Sequence, residues 1–264
     1  MNLLLFSQDE LVDSLLLLHD FRSEHIRRVL GLAAGDSLRL GMINGRLGHG
    51  TVLSIDAETV TLAVQLDREP PPPPPVELIL ALPRPIMLQR ILKQAATLGV
   101  WRIHLIRSAK VEKSFFHSPA LLPEKIRERL LEGLTQAAVD TRLPEVRVHP
   151  LFSTFVQDTL PELNGCRLLA HPGVSANLPE VFPKNGERVL LAVGPEGGWN
   201  EHELRCLSGQ GFTAFNMGGR ILHVDTAVAV LLGQLQLLRE MAAFSPSVCP
   251  WPEPSKTCQS SSCG

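Results

Sequence analysis

The chain has 264 residues, 44% of them hydrophobic and 20% charged, the balance of a folded globular protein rather than a disordered or fibrous one. A formal net charge of -2 argues against a generally basic nucleic-acid binder, and no apolar run approaches the roughly 20 residues that a bilayer span needs, so no membrane segment is expected. Five cysteines without a CxxC spacing, behind an opening MNLLLFSQDELVDSLLLLHD that lacks a basic leader and a cleavage site, predict free thiols, no metal centre and a cytoplasmic location.

Residues 1–69 read as a first unit. From 22 to 46, Arg22, Arg27, Arg28, Arg39 and Arg46 are opposed only by Glu24 and Asp36, a candidate phosphate-facing surface, although a solvated face is the commoner meaning of such a run. From Asp36 to Leu66 apolar and polar residues alternate between Gly, Asn and Asp turns, which predicts short antiparallel strands in a small barrel. Six prolines, Pro70 to Pro75, then exclude helix and sheet interior and predict a stiff linker.

From 76 to 244 the rhythm changes. A strand at 76–82 is followed by a helix at 86–99 stopped by Gly99, a strand at 100–106, a helix at 122–140 and a strand at 145–149. Further strands are expected at 166–171, 187–193 and 212–217, with helices at about 200–209 and 225–243. That alternation predicts an α/β unit with a mostly parallel sheet covered on both faces. Between Arg84 and Lys113, the cations Arg84, Arg90, Lys93, Arg102, Arg107, Lys110 and Lys113 stand against Glu112 alone. The stretch 245–264 has Ser, Pro and Cys but no apolar period, which predicts disorder.

Ligands of parallel sheets bind beyond the carboxyl ends of the strands. Three loops at such ends are glycine-rich: AHPGVS (170–175), VGPEGGWN (193–200) and MGGRILHVDTA (217–227). Asn200 and Glu203 have the spacing of a helix capping box, so the second loop is explicable as a helix start alone. Neither GxGxxG nor a Lys-Ser/Thr phosphate loop is present. In the third, Asp225 suits a helix cap, whereas Arg220 between glycines has no evident packing task and suits a phosphate or carboxylate. His19, His25, His49, His104, His117, His149 and His202 lack metal-ligand spacing and read as surface or satisfied core. Trp101 and Trp199 read as packing groups, Trp199 being the better placed to meet a ligand.

The run VGPEGGWNEHEL…GF…MGGRILHVDTAVAV resembles the C-terminal signature of the RsmE family, which transfers a methyl group from S-adenosylmethionine to N3 of a uridine in small-subunit ribosomal RNA. HIRRVLGLAAGDSLRL, KQAATLGV and QAAVDTRLPEV resemble its other motifs in the same order. The resemblance implies a PUA-like β-barrel at 1–69, a linker at 70–75 and, at 76–244, a SPOUT α/β domain with a trefoil knot. It implies a homodimer acting on ribosomal RNA or the small ribosomal subunit, and S-adenosyl-L-methionine as cofactor. The implied cofactor residues are His171, Pro172, Gly173, Val193, Gly194, Pro195, Glu196, Gly197, Gly198, Met217, Gly218, Gly219, Ile221 and Leu222. Arg220, His223, Asp225 and Thr226 would sit at the reacting end, Asp225 aiding proton removal from N3 and Arg220 with His223 balancing charge. Arg22, Arg27, Arg28 and Arg142 are the candidate RNA contacts.

Four polar positions depart from the family's usual residues: His223 replaces Arg, Asp225 replaces Glu, and Gln94 and Thr97 replace Lys and Glu. Gly31 likewise stands where an Arg is frequent. The glycine frame is kept, which favours methyl transfer. The altered positions leave two other readings open, a paralogue methylating another RNA or base and a noncatalytic RNA-binding paralogue.

Overall fold

The structure, a computed structural model, describes residues 2–243. The expectation of disorder at 245–264, with Cys249, Cys258 and Cys263, lies outside the described residues. The N-terminal part contains β1 (Leu4–Phe6), β2 (Leu11–Val12), β3 (Leu15–Leu18), a short helix α1 (Phe21–Glu24) running into one wide π turn (His25–Leu30), β4 (Ser37–Met42), β5 (Leu47–Ile55) and β6 (Val60–Arg68). The antiparallel trio β4–β5–β6 is the one the alternation predicts. It is extended, in the order β1-β4-β5-β6-β3-β2, by strands that the sequence pattern does not announce. The two end strands β1 and β2 do not pair, so this sheet is an open half-barrel.

The second part begins at β7 (Val76–Ala81) and continues through α2 (Pro85–Thr97), β8 (Arg102–Ile106), α3 (Pro123–Ala137) and β9 (Glu145–His149). After a helical turn α4 (Phe152–Thr154) come β10 (Cys166–Ala170), α5 (Leu178–Val181), β11 (Val189–Val193), α6 (Glu201–Gly209), β12 (Thr213–Phe215) and α7 (Val224–Ala243). The six strands form a wholly parallel sheet in the order β12-β10-β11-β7-β8-β9. Its central strands β7 and β11 are buried along their whole length and, apart from Glu77 on β7, are apolar throughout, as strands covered on two faces are. No helix among the described residues is long and apolar enough to cross a membrane.

Local chemistry accounts for the helices. Pro85 and Pro123 open α2 and α3, where the missing N–H costs nothing. Leu88, Ile91, Leu92, Ala95 and Ala96 on α2 and Ile126, Leu130 and Leu134 on α3 put the apolar stripe of each helix into the core.

The prolines separate the two sheets along the chain, yet the two parts share packing. Leu3, Leu5 and Leu47 of the N-terminal part join the larger hydrophobic core of the second. Thr141 bonds the Gly45 carbonyl, and the Thr141 carbonyl accepts from Asn44 N at 2.8 Å. Pro75 O accepts from Val189 N at 2.9 Å and from Arg239 Nη2 at 3.0 Å, which docks the end of the proline run onto β11 and α7.

Candidate functional site

The loops leaving β10, β11 and β12 meet at one cleft of about 420 Å³, within the range that holds a cofactor-sized ligand. Asn216, just past β12, joins two of these loops: its Nδ2 donates to Val174 O at 2.8 Å and Ser175 O at 3.1 Å, and its Oδ1 accepts from Gly218 N at 2.8 Å. The third loop is fixed by the capping box at the start of α6. Asn200 Oδ1 accepts from Glu203 N at 2.8 Å, and Glu203 Oε2 accepts from Asn200 N at 2.9 Å. The same Glu203 carboxylate, 2% exposed, accepts from Ala109 N at 2.6 Å and Ser108 Oγ at 3.2 Å. The helix start is thereby tied to the loop after β8.

The glycine-rich wall has other braces. Glu196 Oε1 accepts from Arg84 N at 3.1 Å at the head of α2, and Lys110 Nζ donates to Gly197 O at 2.7 Å. Gly198 and Gly218 have φ of +67° and +100°, backbone that side chains resist.

Of the fourteen positions expected to bind cofactor, His171, Pro172, Val193, Gly194, Pro195, Glu196, Gly197, Gly198, Met217, Gly218, Ile221 and Leu222 line this cleft. Gly173 and Gly219 are exposed just outside it. Arg220 and His223 line it as well. Asp225 does not. Its side chain is 11% exposed and its Oδ2 stands 3.3 Å from Arg90 Nη1, while Oδ1 accepts from Thr226 N at 3.0 Å. Thr226 is exposed and also outside the lining. The second position of α7 turns Asp225 toward α2. It does not cap the helix from outside, since the first helical bond runs from Ala227 N to His223 O at 2.8 Å.

Ala170, Trp199, Val224 and Ala227 complete the lining and were not singled out as ligand residues. Only Trp199, beside the glycines, carried a signal in the sequence. Two buried atoms at the cleft, Trp199 Nε1 and His171 Nδ1, lack a hydrogen-bond partner among the described residues. A buried polar atom left unmatched is costly unless a ligand satisfies it. With the apolar side chains of Val193, Met217 and Leu222, the cleft thus offers contact area for a flat heterocycle and polar atoms to orient it.

The arginines expected to meet RNA are unlike one another. Arg22, 13% exposed, is held by Glu10, by Asp20 at 2.8 Å and by Leu5 O at 2.9 Å, so its guanidinium serves the half-barrel and is not free for a phosphate. Arg27 bonds the Ala57 carbonyl. Arg28 is 72% exposed with one surface partner, Glu24, at 2.9 Å. Arg142 pairs with Asp140 at 3.1 Å beside a hollow of about 250 Å³ that Asn44 and Trp101 also line.

A second polar cluster is buried under β7, β8 and β9, away from the cleft. Glu77 Oε2 lies 3.3 Å from His104 Nε2, and His104 Nδ1 lies 3.0 Å from His149 Nε2. Burial pushes the Glu77 carboxyl up, but the His104 hydrogen bond and the Arg102 and Arg188 guanidinium groups outweigh it and hold it below the ordinary carboxylate range. Burial, aided by His104 and Arg147, pushes His149 down to about 4. Buried His104 and half-buried His149 thus both have partners, and no group of three or more His, Cys, Asp or Glu among the described residues is arranged to hold a metal ion.

The RNA methyltransferase domain family matches residues 70–236, the part that carries the parallel sheet and its strand-end cleft, and so defines the class of this protein. Ribosomal RNA small subunit methyltransferase E of Treponema pallidum is 34% identical over 233 residues, covering 86% of this chain and 87% of that one. Its counterpart E 1 of Borreliella burgdorferi is 22% identical, covering 86% and 94%. The structure of ribosomal RNA small subunit methyltransferase E from Neisseria gonorrhoeae bound to S-adenosyl methionine superposes with a TM-score of 0.70 at 19% identity, covering 89% and 98%. The chain belongs to the ribosomal RNA small subunit methyltransferase E (RsmE) family.

Proposed function

We propose that this protein transfers a methyl group from S-adenosylmethionine to N3 of a uridine in small-subunit ribosomal RNA, in the cytoplasm. The observation that carries the reading is the cleft itself, where buried Trp199 Nε1 and His171 Nδ1 stand unpartnered beside exposed Arg220 and His223. His171, the Gly194–Gly198 wall, Met217 and Leu222 would hold the cofactor. When bound, S-adenosylmethionine supplies a methyl group already activated by its sulfonium, so the chain's own work is alignment and charge balance. Uracil N3 carries a proton at neutral pH. His223, at the edge of the cleft just ahead of α7, is placed to accept it, and Arg220 to balance charge on the base or its phosphate.

The half-barrel at 1–69 acts as a PUA-like RNA-binding domain joined by the linker 70–75 to a SPOUT unit at 76–244, with Arg28 and Arg142 as RNA contacts. The meeting of the 170–177, 193–200 and 216–223 segments at one cleft supports a trefoil knot there. Ile221, 91% exposed, with Leu237 and Met241 at 56% and 63% on α7, supports a homodimer paired through this face.

Calorimetry with S-adenosylmethionine, followed by mapping of labelled methyl groups in ribosomal RNA from cells lacking the protein, tests the reading. Heat of binding and label on uridine N3 are expected. No heat at millimolar cofactor removes the cleft assignment, and label on another base removes the uridine.

A further inference from the structure

We propose that Arg90 is a positioning residue for methyl transfer: by gripping Asp225 it locks the first turn of α7, and with it the Arg220–His223 end of the cleft. The inference rests on the proposed methyltransferase reading of that cleft.

The 217–223 loop is thinly held. Gly218 N finds Asn216 Oδ1, but no backbone amide from Gly219 to Leu222 has a protein partner among the described residues. Gly218 to Ile221 are exposed, as is His223. Such a stretch takes its position from its two anchors. One is Asn216; the other is the start of α7, reached through the His223 carbonyl that accepts from Ala227 N.

What fixes that helix start is an uneven pair. The Asp225 carboxylate is nearly buried, and a buried carboxylate is stable only with a cation or several donors around it. Within the described residues it has one backbone donor, Thr226 N, and one cation, Arg90 at 3.3 Å. Arg90 comes from the second turn of α2, a helix that packs along α7 and starts where Glu196 meets the backbone of Arg84. One helix therefore touches both the glycine wall and the α7 turn. Arg90 is itself 59% exposed, so its removal leaves the core intact while stranding the acid.

Gln94, one turn further along α2, brings no charge, and its buried Oε1 has no partner among the described residues. The cation that reaches α7 stands one helical turn earlier, at Arg90.

The test compares wild type with Arg90→Met and Arg90→Lys, reading amide hydrogen exchange in 217–228, cofactor binding by calorimetry and methyl transfer on small-subunit RNA. In Arg90→Met, exchange over 217–228 is expected to rise about tenfold while the rest of the chain keeps its protection, and kcat to fall about tenfold with little change in cofactor Kd. Arg90→Lys, and ethylguanidinium added to Arg90→Met, should restore most of both losses. Unchanged exchange in Arg90→Met overturns the latch, whether or not the wild type is active. Raised exchange with wild-type kcat overturns its part in the reaction. A wild type that binds no S-adenosylmethionine overturns the function reading instead, and the exchange result still decides the latch.

Discussion

Trp199 stands against Gly194: a Cβ placed on Gly194 would lie 3.0 Å from the indole Nε1 and 3.2 Å from two neighbouring ring atoms. The ring is 4% exposed and lines the cleft, so room for a side chain at position 194 exists only if the indole moves. Gly194→Ala should therefore act on the ligand site rather than on the backbone. Cofactor affinity is expected to fall on the order of tenfold, about 1.4 kcal/mol, while the melting temperature moves by no more than a few degrees. Calorimetry beside a thermal melt checks both. Wild-type affinity would show that the Trp199 face of the cleft is not a binding surface.

Glu203 has the opposite profile. Its carboxylate closes the α6 capping box and accepts from the Ala109 amide and the buried Ser108 hydroxyl, so Glu203→Ala strands three donors, Asn200 N, Ala109 N and Ser108 Oγ, at once. The expected loss is about 2–3 kcal/mol, or a melting temperature lower by roughly 4–10 °C for a chain of this size. Glu203→Gln keeps the acceptor and should lose less than half of that. Equal losses in the two variants would mean that the negative charge, not the hydrogen bonding, matters.

These two sites mark what the sequence discloses and what it conceals. The capping box is local: Asn200 and Glu203 are three residues apart, and the structure contains it. The alternation of strands and helices from Val76 onward is equally local, and β9 falls on the expected residues 145–149. The half-barrel was legible only at β4–β6, where turns are short. Leu4–Phe6 and Leu15–Leu18 are apolar runs without period, and β1 pairs in parallel with β4 across more than thirty residues, which no short-range pattern reports. Three glycine-rich loops pointed to the cleft, since each could be placed at a strand end. That Asp225 meets Arg90 depends on which faces of α2 and α7 pack together. The part Asn216 plays likewise depends on loops that are distant in sequence and meet only in the folded chain.

The cluster under β7–β9 predicts a pH dependence. His149 is pushed down to about 4 in the folded chain from an ordinary value near 6.5. The unfolded chain thus binds more protons in between, and stability falls as pH drops from about 6.5 to 4. Glu77, held below its ordinary 4.5, adds its own loss only below that value. His149→Gln keeps a hydrogen-bonding group beside His104 without titrating. Its melting temperature should fall less than that of wild type between pH 7 and 4.5, with the two curves parallel above pH 7. Parallel curves throughout would assign the acid sensitivity elsewhere.

Arg22 and Arg28 are six residues apart but have different tasks. Arg22 is enclosed by Glu10 and Asp20, and burial pushes both carboxyls up less than their bonds to Arg22 pull them down. Arg22→Ala leaves two partly buried acids facing each other. Because both acids are about a third exposed, solvent screens part of the cost, and roughly 1–2 kcal/mol of stability should be lost. Arg28, 72% exposed, supports almost nothing structurally. If it meets a phosphate, Arg28→Ala should leave the melting temperature within about 1 °C, weaken RNA binding and flatten the dependence of log K on log salt by about one unit. Arg22→Ala, measured well below its melting temperature, should keep the wild-type salt slope. A flattened slope in Arg22→Ala and a normal one in Arg28→Ala would reverse the two assignments and place the RNA path along the Glu10 side of the half-barrel.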